Sequence, residues 1–357
     1  MLNNVKNFFT KDSLKESLRI MLPTFISIIL AFTVAAVLLL LIGKNPVTAY
    51  GALLKGAFGA SHRFSETLVR TTSYTIMALG TSIAFRCKIW NIGGDGQYAM
   101  GTIAAISVAL YVPLPAFILF PLTFVVAFIF GGLWGGLASF LKIKFNASEV
   151  ITTIMLNFIA MLFLAWIIRG PLMDPLGFGN PQTMILPEAF RLNILKSGTR
   201  LNAGIFIGML SVAAVYFFWK TPFGFSVRLA GEGKEVAEYS GVNVNRTIMT
   251  TMLISAGFAG LTGWVEITGL HYRLIDDISV GIGTIAIVVA LLGRLNPIGI
   301  LFSAFFMSTL IVGGNTMQRL EGIPYSIVDI IKGLVIVFVI SQFVFEKWGD
   351  KIVKRNT

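Results

Sequence analysis

Few side chains in this chain of 357 residues could carry a reaction, and those that could are poorly spaced for one. Two stretches hold the glycines of a phosphate-cradling turn. Residues 231–236, Gly-Glu-Gly-Lys-Glu-Val, include the lysine but lack a following Ser or Thr, and no strand pattern precedes them. Residues 91–97, Asn-Ile-Gly-Gly-Asp-Gly-Gln, have no lysine. A P-loop needs all of these parts together, so no nucleotide site is expected in this chain. His62 and His271 are the only histidines and Cys87 the only cysteine. That leaves no zinc spacing, no internal disulfide and no Ser–His–Asp set. The chain is therefore expected not to be an enzyme, to hold no metal and to bind no cofactor. The remaining chemistry is charge in apolar surroundings, at Glu266, Asp329 and Lys332. Such charges are costly in lipid and mark pairs or pathways. Asp329 and Lys332 stand three apart on one helix face, where they can pair. Glu266 falls near the outer end of its apolar segment, where an acid can reach water.

The elements that carry these residues are membrane helices. Hydrophobic residues make up 55% of the chain and charged residues only 13%, about half the charge of a soluble domain. Thirty Phe and thirty-six Gly suit helices that pack closely in lipid. The net charge of +11 comes from basic residues scattered at segment ends, so nucleic acid is not expected as a partner and membrane lipid is. The first residues form a basic amphipathic lead-in without a small-residue cleavage site, so the first span is expected to be the membrane signal. Ten apolar segments are candidate spans: 20–42, 71–85, 97–112, 115–141, 150–168, 203–219, 248–268, 280–292, 297–313 and 325–345. The second and eighth are short of the roughly 20 residues a crossing needs. They are extended by their flanks or are broken helices lining a cavity. With the N-terminus inside, 17 basic residues fall on the inner side and 10 on the outer, which supports N-in and C-in. The expected fold is an all-α polytopic membrane protein with about ten transmembrane helices. Residues 1–19 form the cytoplasmic lead-in, 20–345 the transmembrane domain and 346–357 a cytoplasmic basic tail. The Pro- and Gly-rich loop 169–202 is placed outside, over the outer mouth, and the loop 220–247 inside.

That inner loop interrupts two lipid-compatible stretches with a short polar helix over 232–240. Glu232 and Glu235 occupy its first turn, complementing the helix dipole. Gly241 stands where a left-handed C-terminal cap belongs, and Val236, Tyr239 and Ser240 form a small semi-apolar face. So short a helix is not stable alone in water and needs a partner surface.

Residues 221–246, TPFGFSVRLAGEGKEVAEYSGVNVNR, resemble the coupling loop of permease subunits from ATP-binding-cassette importers of the ribose, simple-sugar, nucleoside and branched-chain amino acid class. Thr221, Pro222, Gly224, Arg228, Gly231, Ala237 and Gly241 match that loop, while Leu229 and Glu238 replace commoner alanines. Residues 88–101, KIWNIGGDGQYAMG, resemble a second segment of the family, with Trp90 for Phe and Asp95 for Glu. Residues 146–160, NASEVITTIMLNFIA, and 174–187, DPLGFGNPQTMILP, resemble the nucleoside permeases in particular. The resemblance implies a coupling helix between spans 6 and 7 that docks on a separate ATPase through Gly231, Glu232, Glu235, Ala237, Tyr239 and Gly241. It implies ATP and Mg on that ATPase, a second permease of different sequence, an extracytoplasmic binding protein or lipoprotein, and location in a bacterial inner membrane. The expected cargo is a nucleoside, with a simple sugar as the alternative within the class and an ion- or proton-coupled secondary transporter as the alternative outside it. Asn91, Gln97 and Asn157 are the candidate pathway residues, since amides can exchange hydrogen bonds with a polar solute. Asn157 reads equally well as glue between helices.

Overall fold

The computed structural model describes residues 11–279 and 281–353; residues 1–10 of the lead-in and 354–357 of the tail lie outside it. Thirteen α-helices are present among the described residues. They are α1 Lys11–Leu41, α2 Pro46–Phe58, α3 Ser61–Arg86, α4 Gly94–Tyr111, α5 Ala116–Phe145, α6 Glu149–Arg169, α7 Gly204–Phe218, α8 Pro222–Glu232, α9 Lys234–Tyr239, α10 Val244–Glu266, α11 Ile282–Leu292, α12 Pro297–Glu321 and α13 Tyr325–Val353. Among the described residues, extended pairing is limited to two isolated bridges, Gln182 with Ile275 and Ile194 with Asn202. Each of the ten apolar segments falls on a helix. By length and apolarity four helices can cross a membrane (α5, α6, α10 with its terminal turn, and α12), or up to six if the bent pairs α1–α2 and α7–α8 each count as one.

Contacts divide the chain into two units, residues 1–59 with 309–357, and residues 60–308. In the smaller unit α1 turns through 119° into α2, around Gly43 in the left-handed region (φ 73°). Asn45 caps α2 by accepting from the Val47 N–H. The sequence reading placed residues 46–58 in an outer loop. They are helical because Pro46 begins a capped turn and Ala49, Ala52, Leu53 and Ala57 bury one face. Gly56 then lies against Thr316, with no room for a Cβ. On α13, Lys332 Nζ meets Asp329 Oδ1 at 2.6 Å, the intrahelical pair their spacing predicts.

The larger unit is built around α3. Every residue from Thr71 to Phe85 is buried, so α3 is surrounded by protein. Several of its hydroxyls are satisfied locally: Thr71, Thr72 and Thr81 each donate to the carbonyl four residues back. This explains why the second segment read short. Residues 61–70 continue the helix but carry His62, Arg63, Glu66 and Arg70, which apolarity cannot detect. At 26 residues the helix rises about 39 Å.

α10 packs on α5 through small residues. Cβ atoms added at Gly131 or Gly260 would land 2.8 Å and 2.1 Å from backbone of the facing helix. Close approach of this kind holds helices together where lipid supplies no hydrophobic drive. Trp264 closes the seam: its indole N–H donates to Thr123 Oγ1 at 2.9 Å, and it packs edge-on to Phe120 and Phe124. α11 stays short, at 11 residues or about 16 Å, roughly half the hydrocarbon thickness.

Candidate functional site

Three places gather the residues singled out in the sequence, and the first is the loop 220–247. Thr221 accepts from the Gly224 N–H at 3.1 Å and Pro222 opens the helix. Together they start α8 earlier than the charge pattern indicates. The backbone then becomes extended at Gly233 and a second helix begins. The single helix expected over 232–240 is thus two pieces. Glu232 ends α8 rather than lying in a first turn, while Glu235 does lie in the first turn of α9. Gly241 takes φ 76°. Its N–H donates to Glu238 O and that of Val242 to Ala237 O, the paired bonds of a left-handed cap.

α8 is seated on the end of α3. A Cβ at Gly231 would fall 2.0 Å from the carbonyl oxygen of Arg86, whose guanidinium lies 4.7 Å over the ring of Trp219. Ala237 is fully buried. The opposite face of α9 is open: Tyr239 is 97% exposed and Val236 is also exposed. Lys234 and Glu238 form an exposed pair at 3.8 Å. Val236 and Tyr239 thus form a small exposed apolar pair rimmed by charge.

The second place lies deep between helices. After α3 the chain leaves helical geometry, with Lys88 at φ 56°, and α4 begins at Gly94. Asn91 Nδ2 donates to Gln97 Oε1 and to Ser255 Oγ, both at 3.0 Å. Gln97 Nε2 donates back to Asn91 Oδ1 at 2.8 Å. Asn157 accepts from the Gly96 N–H at 2.8 Å and donates to the Ile92 carbonyl at 3.0 Å. Ser255 is eleven residues into α10, about 17 Å from its start, so irregular backbone sits well inside the bundle. Such backbone persists at membrane depth only when protein satisfies it. The three amides do that here. The structure brings Asn91 and Gln97 together with Asn157 close by, and each amide bonds protein, so a solute would have to compete for these bonds.

The sequence reading passed over Asp95, one residue inside α4. Its Oδ1 accepts from the N–H of Gly283 at 2.7 Å. The acid therefore caps α11 from another helix. A side chain supplied 188 residues away leaves no local signal. The only hint was the absence of a capping residue at Gly281.

The third place surrounds Glu266. It does not reach water. At 3% exposure it accepts from Tyr98 Oη at 3.0 Å and faces His271 Nε2 at 3.7 Å. The cause is the tail of α10, where a π-helical turn Ile267–His271 folds His271 back. The loop 169–202 covers this turn. Leu192 N–H donates to Thr268 O, Leu186 N–H to Tyr272 O and Thr183 N–H to Leu274 O, and Arg169 pairs with Asp276. Leu186, Phe190 and Leu192 are buried beneath it.

Residues 63–340 match the family described as branched-chain amino acid transport system / permease component. Among curated relatives, the guanosine ABC transporter permease protein NupP of Bacillus subtilis is 34% identical, with 94% of this chain and 97% of NupP covered. The nucleoside ABC transporter permease protein NupB of Lactococcus lactis is 32% identical, with 92% and 93% covered. The glucose ABC transporter permease protein TsgB13 of Haloferax volcanii is 30% identical, with 90% and 88% covered.

Proposed function

The chain belongs to the permease component family of branched-chain amino acid transport systems, and from that premise we propose that it is the membrane-spanning permease subunit of an ATP-driven nucleoside importer. It crosses the inner membrane of a bacterium ten times with both termini in the cytoplasm. It supplies the pathway and the lever, while a separate ATPase binds ATP and Mg and does the chemistry. A second permease of different sequence faces it, and a binding protein or lipoprotein delivers cargo from outside.

The observation that carries this reading is the α8–α9 stub. It is too short to be stable alone, seated by Gly231 on the last carbonyl of α3, and turns Val236 and Tyr239 to solvent. On this reading Glu232, Glu235, Ala237 and Gly241 shape the stub, and Tyr239 fills a cleft of the ATPase. Movement of the stub presses on α3 and so on the Asn91–Gln97–Ser255 knot, which with Asn157 forms the wall of the pathway. Glu266 anchors the outer end of the pathway. Asp329 and Lys332 neutralise each other on α13.

Two relatives named for nucleosides support that cargo. One named for glucose keeps a sugar as the second reading. The coupling role is tested by Tyr239→Asp and Ala237→Arg. Both are expected to release the ATPase on purification while the permease stays in the membrane. Unchanged co-purification of the ATPase with both variants would remove the role given to the stub.

A further inference from the structure

α11 spans only 11 residues. It is too short to cross a membrane, and left-handed residues bound it at both ends: Gly281 at φ 82°, then Arg294 at 51° and Leu295 at 55°. It has no side-chain cap of its own. The first N–H groups of any helix lack partners within it, and in a membrane interior they must find them elsewhere. The start of α11 meets the start of α4. A Cβ at Gly94 would lie 3.1 Å from the Cα of Gly283, and one at Gly283 would lie 2.9 Å from the Asp95 nitrogen. Two helix N-termini, each carrying partial positive charge, are therefore brought to within contact. Such an arrangement repels itself unless a negative group lies between. Asp95 provides it: it sits in the first turn of α4 while its carboxylate takes the Gly283 N–H of α11.

α11 packs chiefly along α3 and meets α4 at their starts. Its buried residues mix small Gly283, Ala286 and Ala290 with Ile282, Val289 and Leu292, and the small ones let neighbouring helices approach closely. Asp95 is also joined through its own helix to the coupling end, because Gly96 and Gln97 are held by Asn157 and Asn91.

We propose that Asp95 is a positioning residue for translocation, holding the start of α11 against the start of α4, and that breaking this bond frees α11 to move during the transport cycle. The proposal rests on the permease reading for its consequence, but the bond itself does not depend on which cargo is carried. Losing a hydrogen bond to a charged group shifts the balance between held and released α11 by about 10- to 100-fold.

The test has two readouts on the complete importer with its ATPase and binding protein. Hydrogen exchange across residues 281–285 reports the bond without any cargo. Uptake per ATP hydrolysed, with guanosine as the probe, reports coupling. Asp95→Ala is expected to speed exchange at 281–285 by at least tenfold and to lower uptake per ATP several-fold. Asp95→Asn, which keeps the shape and one acceptor, should fall between, and Asp95→Glu should recover most of both. Exchange across α5 and α10 should be unchanged, which separates release of α11 from misfolding; if Asp95→Ala does not fold, the isosteric Asn variant decides. Unchanged exchange at 281–285 in the Ala or Asn variant overturns the proposal. So does faster exchange with wild-type coupling. If guanosine is not transported by the wild type but exchange responds as expected, the cargo assignment fails while the bond stands.

Discussion

Replacing Gly231 by alanine tests how the coupling stub transmits force. The added Cβ would sit 2.0 Å from the Arg86 carbonyl oxygen, with the carbonyl carbon at 3.1 Å and the Cys87 Cα at 3.5 Å behind it. These are backbone atoms at a helix end, pinned further by the Arg86–Trp219 stack. They cannot rotate away as a side chain could, so α8 must lift from α3 by more than about 1 Å. Overpacking of this kind costs about 1–3 kcal/mol, a factor of about 5 to 150 in how often α8 stays seated. The variant should reach the membrane at near normal level and still bind the ATPase, because the exposed face of α9 is untouched. Nucleoside uptake per ATP should fall by about that factor. Gly51→Ala is the control: a Cβ there meets nothing within 4 Å, and alanine in a helix is favoured over glycine by about 0.5–1 kcal/mol. Wild-type uptake per ATP in Gly231→Ala, at equal protein level, would refute the idea that α3 receives its push through this contact.

Other consequences follow from the same structure. Gly260→Val places a side chain 2.1 Å from the Ala127 carbonyl oxygen, so the α5–α10 seam cannot close and the folded protein recovered in mild detergent should drop sharply. Asp329→Asn leaves Lys332, only 16% exposed, without its counter-charge. Thermal unfolding should show it less stable than the Asp329→Asn/Lys332→Met double variant, because an unpaired charge costs more than an absent pair. Burial pushes the Cys87 thiol up to about 11, so at pH 8 only about one part in a thousand is thiolate, the reactive form. Maleimide labelling of native protein should therefore be slow, rise with pH towards 11, and become fast at any pH near 8 on unfolding. Cutting the exposed Arg169–Asp276 pair with Asp276→Asn should change stability by less than about 1 kcal/mol and less still in high salt.

The parts of the fold legible in the sequence were those written in local chemistry. Apolar runs located the helices, Gly241 marked the left-handed cap, and the three-residue spacing of Asp329 and Lys332 gave their pair. Features supplied from elsewhere in the chain were not legible. The first turns of α3 are polar where they are partly exposed, and a search for apolar runs does not detect them. α2 was hidden by its lysine and its amphipathic face. The division of the coupling segment at Gly233 follows from a helix start at Thr221–Pro222 whose hydroxyl cap competes with the downstream charge pattern. Glu266 is enclosed because a π-helical turn brings His271 back over it, and no spacing rule anticipates that turn. At the candidate site the amide residues were visible as types, but their mutual bonds and the reach of Asp95 to Gly283 depend on three-dimensional closeness alone.

The most direct measurement is ATP hydrolysis by the purified importer, assembled from this chain, its partner permease, the ATPase and the binding protein, in the presence of single solutes. The account predicts that nucleosides stimulate hydrolysis and are accumulated in vesicles in proportion to the ATP consumed, while glucose and ribose do neither. Stimulation by a sugar alone would contradict the cargo. Uptake that persists without ATP and collapses with the ion gradient would contradict the account as a whole.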